Sequence, residues 1–403
     1  MATNKKTSKK FRHKVTRIVF GPPIYSWLKL RCGGTADRFR DGSKRPYLIL
    51  YNHETPFDHF FVDVSFRRLI YYVASEEFLT MGFVSSIIRY LAAPIPIRKQ
   101  TRDITAVKTC MQVAREGCSI CIAPEGNRTF SGRTTFIEPS IVPFARKLHL
   151  PVALYHIEGG YGVRPRWSTI TRYGKIHAYV SKVIETEEYD NMTDDELYKA
   201  ITEGLYVDEC REDFMPGVRY KSSRRAENIE TALYVCPHCG LSKFTSHKEK
   251  FKCTKCGRTY IYGEDKKITG DGFESPFMYA GHWYQYQQDY INKLDVLQYT
   301  DEPVYEDTCD LIEIVERRKK VCRIKEAKVC LYGDRLTIND RVLEFSNIAP
   351  PAVQNGTKLQ LPLEDGLFQL KGDKTFNAVK YLNFYYRYRN LTKGDGDGQF
   401  LGL

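Results

Sequence analysis

The sequence predicts an α/β protein with a mixed or largely parallel sheet flanked by helices, followed by a cysteine-rich module and a small β-rich domain. Three observations carry that prediction. Between about residues 45 and 210, short apolar runs alternate with amphipathic stretches of helical spacing. Residues 232–262 hold four cysteines in two Cys-x-x-Cys pairs. From about residue 308 the pattern turns to period-two alternation broken by turn residues.

Within the first region, "PYLILYN" (46–52) reads as a strand and Thr55 to Leu69 as the helix behind it. "IYYVAS" (70–75) is a second strand, followed by a helix reaching about Tyr90, and "APIPI" (93–97) a third strand. Ile104, Val107, Met111 and Ala114 mark a helix over 102–116. "SICIAP" (119–124) is a strand, "IVPFARKL" (141–148) a helix and "PVALYHI" (151–157) a strand. Thr193 before three acidic residues starts a helix running to about Val207. The charged stretch "KSSRRAEN" (221–228) reads as a linker, and "HWYQYQQDYINKLDVL" (282–297) as a helix. Several short strands follow, closed by a helix in "TFNAVKYLNFYYRYRN" and a Gly-rich end expected to fray.

Hydrophobic residues make up 42% and charged residues 27% of the 403, enough to bury a core in two or three domains. The net charge of +12 is unevenly spread: residues 1–40 carry eleven Lys/Arg against Asp37 alone. Interleaved with Phe11, Ile18, Trp27 and Leu30, that charge suits an anionic membrane surface. The same composition suits a solvated tail or a nucleic-acid-binding arm. No run reaches the roughly 18 uncharged apolar residues of a spanning helix, and residues 1–40 lack the uninterrupted apolar core of a signal peptide. Twelve cysteines without an export signal imply a reducing compartment, where paired cysteines bind metal more often than they cross-link.

Cys236, Cys239, Cys253 and Cys256 form a CxxC–x13–CxxC array. Two tight turns presenting two thiolates each close a tetrahedral shell, so the array predicts structural zinc in a zinc ribbon. His238 and His247 lie close by, but four thiols already suffice.

His53 follows the strand 46–52, and Asp58 comes five residues later, about one turn into the next helix. A carboxylate so placed can fix the imidazole tautomer and stabilise the imidazolium after proton transfer. Alone, that spacing favours a structural histidine over a base. "APEGNRTFSG" (123–132) also follows an apolar strand. It puts Glu125 and Gly126 at a strand-to-loop switch and adds Arg128, a planar cation suited to a phosphate oxygen. The third strand ends in Arg98 and Lys99. Read blandly, Glu125 caps its turn and Arg98 is a solvated strand end. Together, the three strand ends suit transfer chemistry on a phosphorylated hydroxyl compound.

"NHETPFD" with "APEGNRTFSG", about seventy residues apart, resembles the first and third motif blocks of the glycerolipid acyltransferases, the 1-acyl-sn-glycerol-3-phosphate acyltransferase family. "APIPIRK" is similar to the second block and "LPVALYHIEG" to the fourth, so the resemblance covers roughly residues 40–210. It departs in Asn127, where threonine is commoner, in "FIEPSIVPFA", and in the Arg-Lys end of the second block. The resemblance implies direct acyl transfer to lysophosphatidic acid, with His53 as base and Asp58 as its partner. Acyl-CoA or acyl-carrier protein would be the donor. Arg98 and Arg128 would hold the acceptor's phosphate, and Glu125 and Gly126 would shape its glycerol pocket. Other lysolipid or lipid acceptors fit the same chemistry. No G-x-S-x-G elbow argues for an acyl-serine intermediate.

These readings divide the chain into a basic membrane-proximal segment (1–40), an acyltransferase domain (41–215), a zinc ribbon with its helix (226–300) and a β-rich domain (305–392). The last resembles PH-like or GRAM-like small barrels, a fold-level likeness that says little of function. A basic zinc ribbon is compatible with nucleic-acid binding. That role leaves the two strand-end motifs unexplained and is disfavoured. The expected location is cytoplasmic, peripheral or monotopic at the inner face of a membrane.

Overall fold

The computed structural model describes residues 11–66, 68–75, 83–97, 103–315, 320–354 and 356–393. They fall into two compact units. The first comprises the chain up to Val163 and Arg172–Val218; the second comprises Arg164–Thr171 and the chain from Arg219 onward.

In the first unit, chain order runs α1 (Phe11–Cys32), β1 (Gly34–Ala36), β2 (Leu48–Tyr51), α2 (Asp58–Ser65), β3 (Ile70–Ser75), α3 (Phe83–Leu91) and β4 (Ile95–Ile97). It continues through α4 (Ile104–Arg115), β5 (Ser119–Ile122), α5 (Ile141–Leu148), β6 (Val152–Glu158), α6 (Gly160–Val163), β7 (Ile176–Ile184), α7 (Thr186–Asp190) and α8 (Asp194–Leu205). The seven strands form one sheet ordered β1-β7-β6-β2-β5-β3-β4. Every pairing is parallel except β6 with β7, so the sheet is mixed and largely parallel. All four residues of β2 are buried, as a central parallel strand covered on both faces requires. Packed on the sheet are Ala106, Cys110 and Val113 of α4, Val142 and Ala145 of α5, and Leu197, Ile201 and Leu205 of α8. Thr193 and Glu196 close a reciprocal capping box on α8, an N-cap worth about 1 kcal/mol.

The structure departs from the sequence reading in this unit. α1 is a helix despite Pro22 and Pro23, a doubled proline that argues against one. Residues 11–40 are not separate from the α/β domain, because β1 pairs with β7 at the sheet edge. β7, not among the strands expected from the sequence, alternates buried and half-buried residues around Ile176 and Ala178. The helix expected over 55–69 is shorter, since Thr55 to Phe57 form a turn folded around Asp58.

The second unit contains β8 (Val235–Cys236), β9 (Gly240–Leu241), β10 (Phe244–His247), β11 (Lys250–Cys253), β12 (Thr259–Tyr262), β13 (Ile268–Gly270) and α9 (Ala280–Lys293). It continues through β14 (Tyr305–Ile314), β15 (Lys320–Leu331), β16 (Arg335–Ile338), β17 (Arg341–Glu344), β18 (Ala352–Gln354), β19 (Lys358–Leu363), β20 (Gly366–Lys371) and α10 (Val379–Lys393). β10 to β13 form a four-stranded antiparallel sheet. β14 to β20 form a seven-stranded antiparallel one, ordered β17-β16-β15-β14-β20-β19-β18. α10 buries Tyr381, Leu382, Phe384 and Tyr385, the inward face expected of the aromatic-rich closing helix. The segments expected as two domains here belong to one unit. The charged stretch read as a linker is packed: Ala226 is fully buried and donates its N–H to Lys248, and Arg225 Nε donates to the Tyr262 carbonyl. The Gly-rich end expected to fray lies outside the described residues.

Candidate active site and metal centre

The C-terminal ends of three adjacent parallel strands meet in the first unit, with β2 between β5 and β6. Ligands bind at such carboxyl edges where strand order departs from sequence order, and β5 inserts between β2 and β3 here. The end of β2 is locked to β6 by Asn52, whose Nδ2 donates to the Ile157 carbonyl (2.8 Å) and whose Oδ1 accepts the Ile157 N–H (2.7 Å).

His53 comes next. Its Nδ1 lies 2.8 Å from Asp58 Oδ2, and its side chain is 26% exposed against 1% for Asp58. The carboxylate only accepts, so Nδ1 carries the proton and Nε2 presents a lone pair. Asp58 also accepts from the Glu54 N–H (2.8 Å), the Thr55 N–H (3.0 Å) and Thr55 Oγ1 (2.6 Å). Standing at the first turn of α2, the carboxylate is favoured by the helix N-terminus as well. It is therefore fixed before it meets the imidazole. That arrangement is chemically suited to a base with an orienting acid.

Glu125, just past β5, reaches across to the same turn. Oε1 accepts the His53 N–H (2.7 Å), while Oε2 accepts the Thr135 N–H (2.6 Å) and hydroxyl (2.9 Å). Both oxygens are committed to the protein's own donors. Glu125 is thus a buried brace between the two motif loops. The Thr129 N–H completes the brace on the His53 carbonyl (3.1 Å). Burial pushes the Glu125 carboxyl up to about 7, with the three donors opposing that rise. The fold therefore holds this proton more tightly than the unfolded chain, and stability falls as pH rises from 4.5 to about 7. Over that window the loss amounts to about 3 kcal/mol. We expect Glu125→Gln to abolish this slope in urea unfolding at pH 5 and 7.5. The variant should also be less stable at pH 5, because an amide cannot accept all three donors.

Gly126 is exposed in the left-handed region at φ 69°, and Arg128 is half-buried in the same loop. Arg98 lies outside the described residues; β4, which it follows, stands at the sheet edge beyond β5 and β3. His59, next along α2 from Asp58, packs against Phe60 and Tyr72, and burial pushes its imidazole down to about 4. Asp63 is paired with Arg17 of α1 at 3.4 Å. Sequence reasoning missed Asn52, Glu54, Thr135 and Glu209. Glu209 accepts the Tyr161 and Gly162 N–H groups at 3.1 Å each, and nothing in its local sequence marks it.

In the second unit the four predicted thiols converge. The Sγ atoms of Cys236, Cys239, Cys253 and Cys256 all lie within 4.8 Å of one another. Cys236 to Cys256 is 3.7 Å and Cys239 to Cys253 is 3.6 Å. A tetrahedron with Zn–S bonds of about 2.3 Å has edges of about 3.8 Å, so the cluster fits a metal ion, whereas a disulfide requires about 2.05 Å. Behind it, Gln287 of α9 accepts the Tyr234 (2.7 Å) and Val235 (3.1 Å) N–H groups, and Trp283 Nε1 donates to the Val235 carbonyl (2.8 Å). Trp283 is fully buried among Phe244, Phe251, Tyr260 and Phe277. Several cations of this module are engaged internally: Lys243 with Asp307, Lys250 with Asp271, Lys255 with the Cys239 carbonyl and Arg258 with His238.

Residues 32–155, from the end of α1 into β6, match the family model described as Acyltransferase. The chain carries an acyltransferase-family domain. His53, Asp58 and Glu125 all lie within the matched residues. The acyltransferase domain is similar to the 1-acyl-sn-glycerol-3-phosphate acyltransferase BAT2, chloroplastic, of Brassica napus, with 23% identity over 195 residues. That match covers 46% of this chain and 54% of the relative. The corresponding LPAT1, chloroplastic, of Arabidopsis thaliana is 20% identical over 185 residues, covering 45% and 51%. The chain thus spans about half the length of the curated relatives it matches. Among solved structures, the 1-acyl-sn-glycerophosphate (LPA) acyltransferase PlsC from Thermotoga maritima is 19% identical with a TM-score of 0.40. It covers 48% of this chain and 76% of its own.

Proposed function

We propose that this protein transfers a fatty acyl group from acyl-CoA or acyl-carrier protein to the free hydroxyl of 1-acylglycerol 3-phosphate, giving phosphatidic acid in phospholipid biosynthesis. The observation that carries the reading is the His53 Nδ1–Asp58 Oδ2 contact of 2.8 Å, with Asp58 already saturated by the turn that follows His53. His53 Nε2 takes the acceptor's hydroxyl proton as the oxygen attacks the thioester carbonyl. Collapse of the tetrahedral intermediate breaks the C–S bond, and the imidazolium returns the proton to the departing thiolate. Asp58 stabilises the imidazolium between those steps. Arg128 and Arg98 hold the phosphate, and Gly126 lets the loop approach the acceptor. The likeness to lysophosphatidic acid acyltransferases by name supports this acceptor over other lysolipids.

We assign zinc to the four-thiolate cluster, where a closed shell leaves no position for a reactive water. Its role is to hold the β8–β11 region folded. The test of the activity is acyl transfer by purified protein to a panel of lysolipids from both donors. Phosphatidic acid formation from lysophosphatidic acid is the expected result, and its absence across the panel overturns the assignment.

The same reading places the domain peripherally at the cytoplasmic face of a membrane. Among the described residues no helix is long and apolar enough to cross one. α1, however, exposes Phe11 (81%), Leu30 (79%), Ile18, Val19 and Trp27 beside Lys14, Lys29 and Arg31. Arg12 of α1 ties it to α3 through the Tyr90 carbonyl (2.8 Å), and α3 exposes Ile87 and Tyr90 as well. Burying such side chains yields about 1.5–3 kcal/mol each. Replacing Phe11, Trp27 and Leu30 together by serine should therefore weaken binding to anionic vesicles by at least about tenfold in a flotation assay.

A further inference from the structure

One buried acid beside His53 has no part in the chemistry above. Glu54 is 1% exposed. Oε1 accepts only the Asn52 amide at 3.3 Å, and Oε2 has no hydrogen-bond partner among the described residues. Three other acids act on it electrostatically. Asp58 faces it from α2, Glu125 from the loop after β5 and Glu209 from the segment after α8. The Gly160 backbone of α6 packs close: a Cβ added there would lie 2.6 Å from Glu54 Cβ and 3.0 Å from Thr55 Cγ2. A charge there would be stripped of water beside three other acids, a cost far above that of keeping the proton. The direction of its titration agrees, raised well above 4.5 by burial first and then by Glu209, Glu125 and Asp58.

We propose that Glu54 is a positioning residue, held as the neutral acid beneath the site, and that its ionisation releases the turn from which His53 acts. The route is short. The Glu54 N–H is one of the donors that fix Asp58 (2.8 Å), and the Glu54 side chain hangs from Asn52, which ties β2 to β6. An ionised Glu54 is driven toward water by three flanking acids, withdraws a donor from Asp58 and moves the imidazole with it. The protonation half of this inference stands on geometry alone; the catalytic half rests on the acyl-transfer reading.

The test compares full-length wild type with Glu54→Gln. A proton held in the fold and lost by the unfolded chain lowers the folding equilibrium about tenfold per pH unit above 4.5, until the folded group ionises. The glutamine variant lacks that slope, so its Tm should overtake that of wild type progressively between pH 5 and 8. Its acyl-transfer rate should stay within about threefold of wild type at pH 7 and lose the alkaline fall of kcat, with KM little changed. Parallel Tm–pH curves for the two proteins overturn the proposal. If neither protein transfers an acyl group but the Tm curves diverge, the acyl-transfer reading fails and the neutral acid stands. Should the variant not fold, wild type labelled with [13C]glutamate decides. One carboxyl carbon still at its protonated shift at pH 8, above the Glu125 titration near 7, supports the proposal, and titration of every glutamate by pH 8 refutes it.

Discussion

His53→Ala is expected to lower acyl transfer by roughly 10²–10⁴-fold, the usual worth of a positioned general base, while leaving the fold intact. The side chain is 26% exposed, and the contacts that hold its turn are made by its backbone, through the N–H to Glu125 and the carbonyl to Thr129. Removing the imidazole therefore removes chemistry and little packing. The loss should fall on kcat rather than KM, since the base acts in the transition state and not in holding lysophosphatidic acid. Asp58→Asn should be as damaging for a different reason. Asparagine offers an amide where Oδ2 now accepts Nδ1 of His53, which favours the wrong tautomer. It also leaves donors of Glu54 and Thr55 unmatched inside a buried turn, so this variant should lose stability by about 2–3 kcal/mol as well. Circular dichroism with steady-state kinetics separates the two outcomes. A His53→Ala protein retaining the full rate would sink the mechanism.

The second large effect concerns the four thiols. Elemental analysis should give one zinc per chain for wild type and none for a Cys236→Ser/Cys256→Ser double variant. Structural zinc in small modules contributes about 10–16 kcal/mol at neutral pH. The sheet β10–β13 is small, and the aromatic cluster at Trp283 is its main packing. Metal removal by a strong chelator should thus unfold this region cooperatively, read as a change in the Trp283 environment by fluorescence and as lost amide protection over 232–262. Protection that survives chelation would show that the aromatic cluster suffices without metal. Because the thiols stand in the second unit and His53 in the first, acyl transfer should persist at low temperature after brief chelation.

Much of this was open to reading from residues alone, for identifiable reasons. "SICIAP" and "PVALYHI" announce buried parallel strands because a central strand must be apolar on both faces. The capping box of α8 is written in Thr193 and Glu196 because its hydrogen bonds are local. The four-cysteine cluster was legible because two Cys-x-x-Cys turns leave little freedom in how four thiols meet. His53 and Asp58 were found through spacing plus a resemblance, and their hydrogen bond spans only one turn. Where contacts are long-range, the signal fades. β1 is three residues long and is a strand only because β7 lies beside it. α1 carries two prolines inside it, which a local rule weighs against a helix.

By itself, then, the sequence determined the alternating α/β order, the four-cysteine array and the spacing of His53 and Asp58, all properties of short-range pattern and side-chain chemistry. Only the tertiary structure decided what the other acids do. Glu125 is 72 residues from His53 in sequence, and its carboxylate is a brace because β5 lies against β2. Glu54 and Glu209 become neighbours through the packing of strand ends and connecting segments, and no local pattern encodes the water they lose there. Burial sets the protonation of a carboxyl, and burial is a property of the fold.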